Sequence, residues 1–98
     1  VLGVDGQKVL PTVYALHQNY PNPFNPSTRI AYQLPAAADV KLKVYDLFGR
    51  EVATVVDQRQ PAGEYVMEFV ANRLATGMYF YRLTAGSFVD TRKMLLVK

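Results

Sequence analysis

Apolar and polar side chains alternate with a period of two along most of the chain. Ile30, Tyr32 and Leu34 alternate with Arg29, Ala31 and Gln33 before Pro35 stops the run. Val40, Leu42 and Val44 alternate with Lys41, Lys43 and Tyr45, the pattern of a half-buried antiparallel strand. Asp46-Leu47-Phe48-Gly49-Arg50 supplies turn residues, and Glu51 to Val56 returns as the second arm of a hairpin. Asp57 to Gly63, with Pro61, reads as a polar loop. Tyr65, Met67 and Phe69 alternate with Val66, Glu68 and Val70 in the next strand. A connection from Asn72 to Thr76 ends at Gly77, after which Tyr79, Tyr81 and Leu83 alternate with Phe80, Arg82 and Thr84. Ala85-Gly86-Ser87 is a tight turn into a last strand, Phe88 to Val97. There Met94 and Leu96 hold one phase and Leu95 and Val97 the other. Either both faces are covered or a bulge shifts the phase.

No stretch carries a 3.6-residue period; Ala36-Ala37-Ala38 follows a proline and is too short for a helix. Short strands spaced about 8–12 residues apart predict an all-β fold, an immunoglobulin-like antiparallel β-sandwich of about seven strands. Ahead of them lies Gln18-Asn19-Tyr20-Pro21-Asn22-Pro23-Phe24-Asn25-Pro26-Ser27-Thr28. Its prolines fix φ and lack backbone donors, so neither a helix nor a central strand forms there. A stiff, irregular extended segment is expected, with Tyr20 and Phe24 available to pin it onto a core. Residues 1–13, punctuated by Gly3, Gly6 and Pro11, read as a linker or leader, and residues 14–98 as the folded domain.

Length and composition narrow the functions. A chain of 98 residues supports one domain, and half its residues are hydrophobic. Absence of cysteine removes disulfides, zinc–thiolate sites, iron–sulfur clusters and thiol nucleophiles together. No apolar run approaches the roughly 18–20 residues of a membrane span. The opening Val-Leu-Gly-Val-Asp-Gly has no basic region followed by an apolar one, so no targeting peptide is expected to start there. The net charge of +3 is unevenly placed. Arg73, Arg82, Arg92, Lys93 and Lys98 face only Asp90 over residues 72–98, whereas acids outnumber bases before them. No Arg/Lys/aromatic platform or nucleic-acid motif accompanies that excess, so nucleic acid is not an expected partner.

Catalytic groupings are missing from the sequence. Glu64 and Glu68 share a strand face about 13 Å apart, wider than the roughly 5–10 Å of glycosidase carboxylate pairs. Asp46 and Asp57 flank a hairpin and read as turn formers. His17 is the sole histidine and has no candidate partners nearby; Ser87 lies in a turn without a Gly-x-Ser-x-Gly elbow. Pro26 disqualifies Asn25-Pro26-Ser27 as a glycosylation acceptor. No run of alternating Asp and Asn ends in a bidentate Glu, so neither calcium nor any other cofactor is expected. Tyr79 and Tyr81 share a face with Leu83 and read as core, while Tyr45 shares an exposed face with Lys41 and Lys43. The expectation is a protein without chemistry of its own.

An ordered set of motifs carries a family likeness. Leu16-His17-Gln18-Asn19-Tyr20-Pro21-Asn22-Pro23-Phe24-Asn25-Pro26-Ser27-Thr28-Arg29-Ile30 resembles the opening signature of type A C-terminal sorting domains of the type IX secretion system. Val44-Tyr45-Asp46-Leu47-Phe48-Gly49-Arg50-Glu51-Val52 and Ala62-Gly63-Glu64-Tyr65 resemble the blocks that follow. Gly77-Met78-Tyr79-Phe80-Tyr81-Arg82-Leu83 and Thr91-Arg92-Lys93-Met94-Leu95-Leu96-Val97-Lys98 are similar to the closing motifs. The likeness runs from Tyr14 to Lys98, and a related Ig-like module occurs in flagellar hook-capping proteins.

That resemblance implies a delivery tag at the end of proteins exported by Gram-negative bacteria. It implies as partners a preceding cargo domain, an outer-membrane translocon reached through the periplasm, and a sortase-like peptidase. In many members that peptidase removes the domain and joins the cargo to surface lipopolysaccharide. Carried onto matching positions, the resemblance places translocon recognition on Gly77, Tyr79 and Arg82, then on Lys93 and Lys98, which bracket Met94 to Val97; the physical reading adds Arg92. Read physically, Gly77 permits the turn into its strand and Tyr79 anchors the inner face. Arg82, Arg92 and Lys93 present a cationic edge, and an open final strand docks by strand addition. The competing readings are an adhesive or carbohydrate-binding Ig-like module retained on an enzyme, and a structural spacer.

Overall fold

The computed structural model describes residues 9–98, so residues 1–8 of the expected 1–13 linker lie outside it. Every element within it is a strand: β1 (Ala15–Leu16), β2 (Ser27–Leu34), β3 (Ala38–Tyr45), β4 (Glu51–Gln60), β5 (Gly63–Val70), β6 (Gly77–Ala85) and β7 (Phe88–Leu96). They form two antiparallel sheets, one ordered β1-β2-β5 and the other β4-β3-β6-β7. β3–β4 and β6–β7 are hairpins, while β2–β3, β4–β5 and β5–β6 cross between sheets. This is the Greek-key wiring typical of immunoglobulin-like sandwiches.

Alternation places one face of each inner strand in the core. Ile30, Tyr32, Leu34 and Phe69 from one sheet meet Val40, Leu42, Val44, Tyr79, Tyr81, Leu83, Met94 and Leu96 from the other, all buried. Tyr hydroxyls inside such a core need partners. The Tyr32 hydroxyl donates to Gln60 Oε1 at 2.6 Å, and the Tyr81 hydroxyl donates to the His17 carbonyl at 2.7 Å. Burial pushes both phenols up to about 12; at Tyr81 the bond that its oxygen accepts from the Asn19 amide works against that rise.

Two expectations need revision, and one open alternative is decided. First, β4 does not stop at Val56: Asp57, Gln58, Arg59 and Gln60 stay paired with Lys41, Val40, Asp39 and Ala38. Polar side chains are tolerated there because β4 is an edge strand, and Asp57 is therefore a strand residue rather than a turn former. Two bulges, at Val55 and Val52 against β3, break the alternation of burial. Second, the last strand has no bulge, since its register with β6 is unbroken from Phe88 to Leu96. Met94 and Leu96 face the core, Leu95 is half-buried and Val97 is exposed. Third, of the two aromatics expected to pin the proline segment, Phe24 is 1% exposed but Tyr20 is 80% exposed.

The proline segment has a structural task that its composition did not disclose. All three of its X-Pro bonds are cis. Phe24 lies parallel to Leu96, with its amide donating to the Leu95 carbonyl and its carbonyl accepting from the Val97 amide, both at 2.9 Å. Asn22 Oδ1 accepts from the Leu95 amide at 2.9 Å, and Gln18 Nε2 donates to the Lys93 carbonyl at 2.8 Å. The free edge of β7 is thus occupied from Lys93 to Val97.

Candidate functional site

The six residues singled out by the closing motifs fall in three places. Gly77, Tyr79 and Lys98 gather at one end of the β6–β7 hairpin and hold the connection that precedes it. Gly77 opens β6 opposite Leu96 with φ of 157°, a conformation L side chains rarely adopt. The Tyr79 ring is buried, and its hydroxyl donates to the Ala75 carbonyl at 2.6 Å. Lys98 donates from its amide to Thr76 Oγ1 at 3.1 Å and from Nζ to the Asn72 carbonyl at 2.7 Å. These three clamp residues 72–76 to the sheet.

Arg92 stands apart from its neighbour in sequence. It pairs with Tyr81 across the hairpin, in the phase of Met94 and Leu96, and its Nε donates to the Leu16 carbonyl at 2.7 Å. It therefore bridges β7 to β1 across the seam between the sheets. The cationic edge expected of Arg82, Arg92 and Lys93 is thus divided between two faces of the hairpin. Strand addition at the closing end of β7 is blocked as well, because residues 18–24 already occupy those main-chain groups.

Arg82 and Lys93 do share a surface, the outer face of the four-stranded sheet. Arg82 lies opposite Lys43 on β3 and Thr91 on β7; its guanidinium stacks 5.0 Å from the Tyr45 ring centroid, and its Nε donates to Thr91 Oγ1 at 3.3 Å. Lys93 lies opposite Phe80. Two shallow cavities adjoin this shelf. One of about 270 Å³ is lined by Tyr45, Leu47, Gly49, Phe80, Arg82 and Thr91. Another of about 360 Å³ is lined by Gln18, Phe80, Thr91, Arg92 and Lys93.

Charge on this face is partly neutralised. Lys43 bonds Glu51 at 3.1 Å, Arg50 bonds Asp46 at 2.8 Å and Arg59 bonds Asp39 at 3.3 Å. The Glu51 contact holds the Lys43 ammonium above its ordinary range, while Thr54 and then Lys43 hold Glu51 below its own. Among the described residues, Arg82 and Lys93 form no ion pair. Lys41 on β3 is likewise exposed and without an ion pair, so the cations left unpaired on this face among the described residues are Lys41, Arg82 and Lys93, the last two beside Tyr45 and Phe80.

The hairpin turn next to the shelf was read only as punctuation. Asp46 Oδ1 accepts from the amides of Phe48 and Arg50 at 2.9 and 3.0 Å, and Oδ2 accepts from Arg50 Nε at 2.8 Å. The Asp46 amide and carbonyl bond the Arg50 carbonyl and the Gly49 amide, both at 3.0 Å, and Gly49 takes φ of 80°. Desolvation pushes the Asp46 carboxyl up, but the Arg50 and Phe48 bonds outweigh it and hold the group below the usual carboxylate range. The result is a rigid turn whose two large apolar side chains, Leu47 and Phe48, face water.

Elsewhere, the His17 side chain is exposed, as are Ser87, Glu64 and Glu68. Among the described residues no three His, Asp or Glu side chains gather in a group that could hold a metal, and no helix is long and apolar enough to cross a membrane. Residues 18–98 match a known family, described as the secretion system C-terminal sorting domain. Comparison with curated proteins and with solved structures finds no match.

Proposed function

The chain belongs to the secretion system C-terminal sorting domain family, the type IX sorting tail, and from that premise we propose that it works as a noncatalytic address for an attached cargo. Family membership over residues 18–98 is the observation that carries this reading. The cargo precedes the domain, residues 1–13 link the two, and the tail directs the cargo through the periplasm to the outer-membrane translocon. A sortase-like peptidase then cuts near residues 1–13 and joins the cargo to surface lipopolysaccharide.

Recognition acts through side chains on the outer face of β3, β6 and β7, with Arg82 and Lys93 as the charged contacts. Two observations support this over main-chain pairing at β7: the occupied edge from Lys93 to Val97, and the lack of ion-pair partners for Arg82 and Lys93 among the described residues. Gly77, Tyr79, Lys98 and Arg92 serve recognition indirectly, by fixing the hairpin that displays those contacts.

The test is a reporter fused ahead of residues 1–98 in a host carrying the secretion machinery. The fused reporter reaches the medium or cell surface, and the reporter alone does not. Retention of the fused reporter inside the cell would refute the sorting role. Replacing Arg82 and Lys93 by Glu lowers export while circular dichroism stays unchanged. Arg92 is left out of that variant because its guanidinium also holds β1 to β7.

A further inference from the structure

We propose that the Asp46–Arg50 turn is a docking knob. Leu47 and Phe48 enter an apolar pocket on a protein of the export machinery, and a carboxylate on the pocket rim meets Arg82, which has no ion-pair partner among the described residues. This rests on the sorting role proposed above and names the contact surface through which it operates.

The first observation is exposure without a folding reason. Leu47 is 63% exposed and Phe48 83%, the highest of any aromatic residue among those described. The hairpin does not need them there. The Asp46 bonds and the positive φ of Gly49 set the turn, and those bonds use only the main chain of position 48. A polar residue at 47 or 48 would leave every one of those bonds intact and lower the risk of association in water.

The second observation is rigidity. With the carboxylate of Asp46 holding Phe48 and Arg50 from inside the turn, the apolar pair is displayed in one geometry before any partner arrives. Fixing a contact loop beforehand removes ordering entropy that binding would otherwise cost. Aromatic and Arg side chains set in such a frame are the residue types that dominate binding at protein interfaces.

The third observation is the surroundings. Arg50 lies 5.2 Å from the Phe48 ring centroid, and beside the turn runs the 270 Å³ cavity, where Tyr45, Leu47, Phe80, Arg82 and Thr91 are joined by Asp46, whose carboxylate is already engaged by Arg50. An apolar side chain of the partner fits between Leu47 and Phe80, and a carboxylate next to it reaches the Arg82 guanidinium, whose Nε alone is engaged by Thr91. An anionic bilayer matches this surface less well. Asp46, Glu51 and Asp57 sit on or beside the same face, and a continuous layer of lipid phosphates would meet them, whereas a single carboxylate placed opposite Arg82 would not.

The experiment uses the reporter fused to residues 1–98. The double variant Leu47→Ser/Phe48→Ser exports at least about tenfold less reporter than the wild-type tail, and its melting midpoint stays within about 2 °C. The single variant Phe48→Asp gives the same loss and stands in for the double variant if that one fails to fold. Val66→Ser, at a 61% exposed position on the other sheet, exports within about twofold of wild type and controls for generic loss of surface hydrophobicity. Equal export of wild type and the folded variants overturns the knob while leaving the sorting role standing. An unexported wild type removes the sorting role and the knob with it. Flotation of the wild-type tail, but not the Phe48→Asp tail, with phosphatidylglycerol vesicles would assign the knob to a bilayer and overturn the protein partner.

Discussion

The two long flanks of the sandwich are finished in opposite ways. On the β1/β7 flank, residues 18–24 bond the outer edge of β7, Arg92 reaches the Leu16 carbonyl, and the Tyr81 hydroxyl joins His17 to the Asn19 amide. On the β4/β5 flank, β5 pairs only with β2. The Ala71 amide points at Pro26, and the Arg29 and Ala31 groups point away toward Tyr20 and His17. By alternation, the main-chain groups of Glu64, Val66, Glu68 and Val70 face outward with no strand beside them among the described residues. Tyr65 and Met67 are only half-buried there, and a shallow cavity of about 280 Å³ separates Val52 and Ala53 from the end of β5. Stability is concentrated on the closed flank. The open one is guarded by Glu64 and Glu68 on β5 and by the bulged, polar β4, devices that discourage unwanted edge pairing.

That contrast can be broken most forcefully at Phe24. Its fully buried ring fixes the proline segment on the core, 6.3 Å from the Phe69 centroid, so Phe24→Ala lowers unfolding free energy by about 3–5 kcal/mol in urea titration. This is a large fraction of the roughly 5–15 kcal/mol available to a domain of this size.

Alkali gives the next effect. Both buried phenols, Tyr32 and Tyr81, titrate at about 12 in the fold, above the ordinary 10. A raised folded value means that their contribution is complete below pH 10 and is lost as pH climbs to 12. Unfolding free energies from urea titration fall across that window by about 1–2 kcal/mol per phenol, the full shift being reduced by solvent screening. Tyr81→Phe removes its own share of that alkaline loss. At neutral pH it costs about 1–3 kcal/mol, because the buried Asn19 amide loses its acceptor.

Smaller changes sharpen the comparison. Asn22→Ala removes the acceptor of the Leu95 amide and costs about 0.5–1.5 kcal/mol. In hydrogen exchange, the Leu95 and Val97 amides are protected, and those of Val66 and Glu68 exchange quickly. Val66→Thr, on the open flank, changes stability by less than about 0.5 kcal/mol. Equal protection on the two flanks would abolish the distinction.

Legibility in the sequence followed burial. β2, β3 and β6 each bury one face against the opposite sheet, so Ile30-Tyr32-Leu34, Val40-Leu42-Val44 and Tyr79-Tyr81-Leu83 announced them. β4 did not, because its bulges at Val55 and Val52 shift the phase and its last four residues are polar strand edge. The proline segment was legible as stiff, but its partner was not. Asn22 and Leu95 are 73 positions apart, and no local pattern links them. Within the candidate site, Tyr79 as an inner-face anchor was readable from its phase. The single cationic edge expected of Arg82, Arg92 and Lys93 overlooked the same signal: Arg92 stands two before Met94 and shares its phase, so it parts from Lys93. The display of Leu47 and Phe48 was hidden inside a turn motif, whose Asp and Gly signalled geometry and not what the geometry holds up.

The closure of β7 by residues 18–24 also makes folding an all-or-none meeting of the first and last parts of the sandwich. Without β7, Phe24 has no mate and the sandwich cannot shut. Because the joined segments lie near opposite ends of the domain, assembly waits on contacts distant in sequence, which slows it.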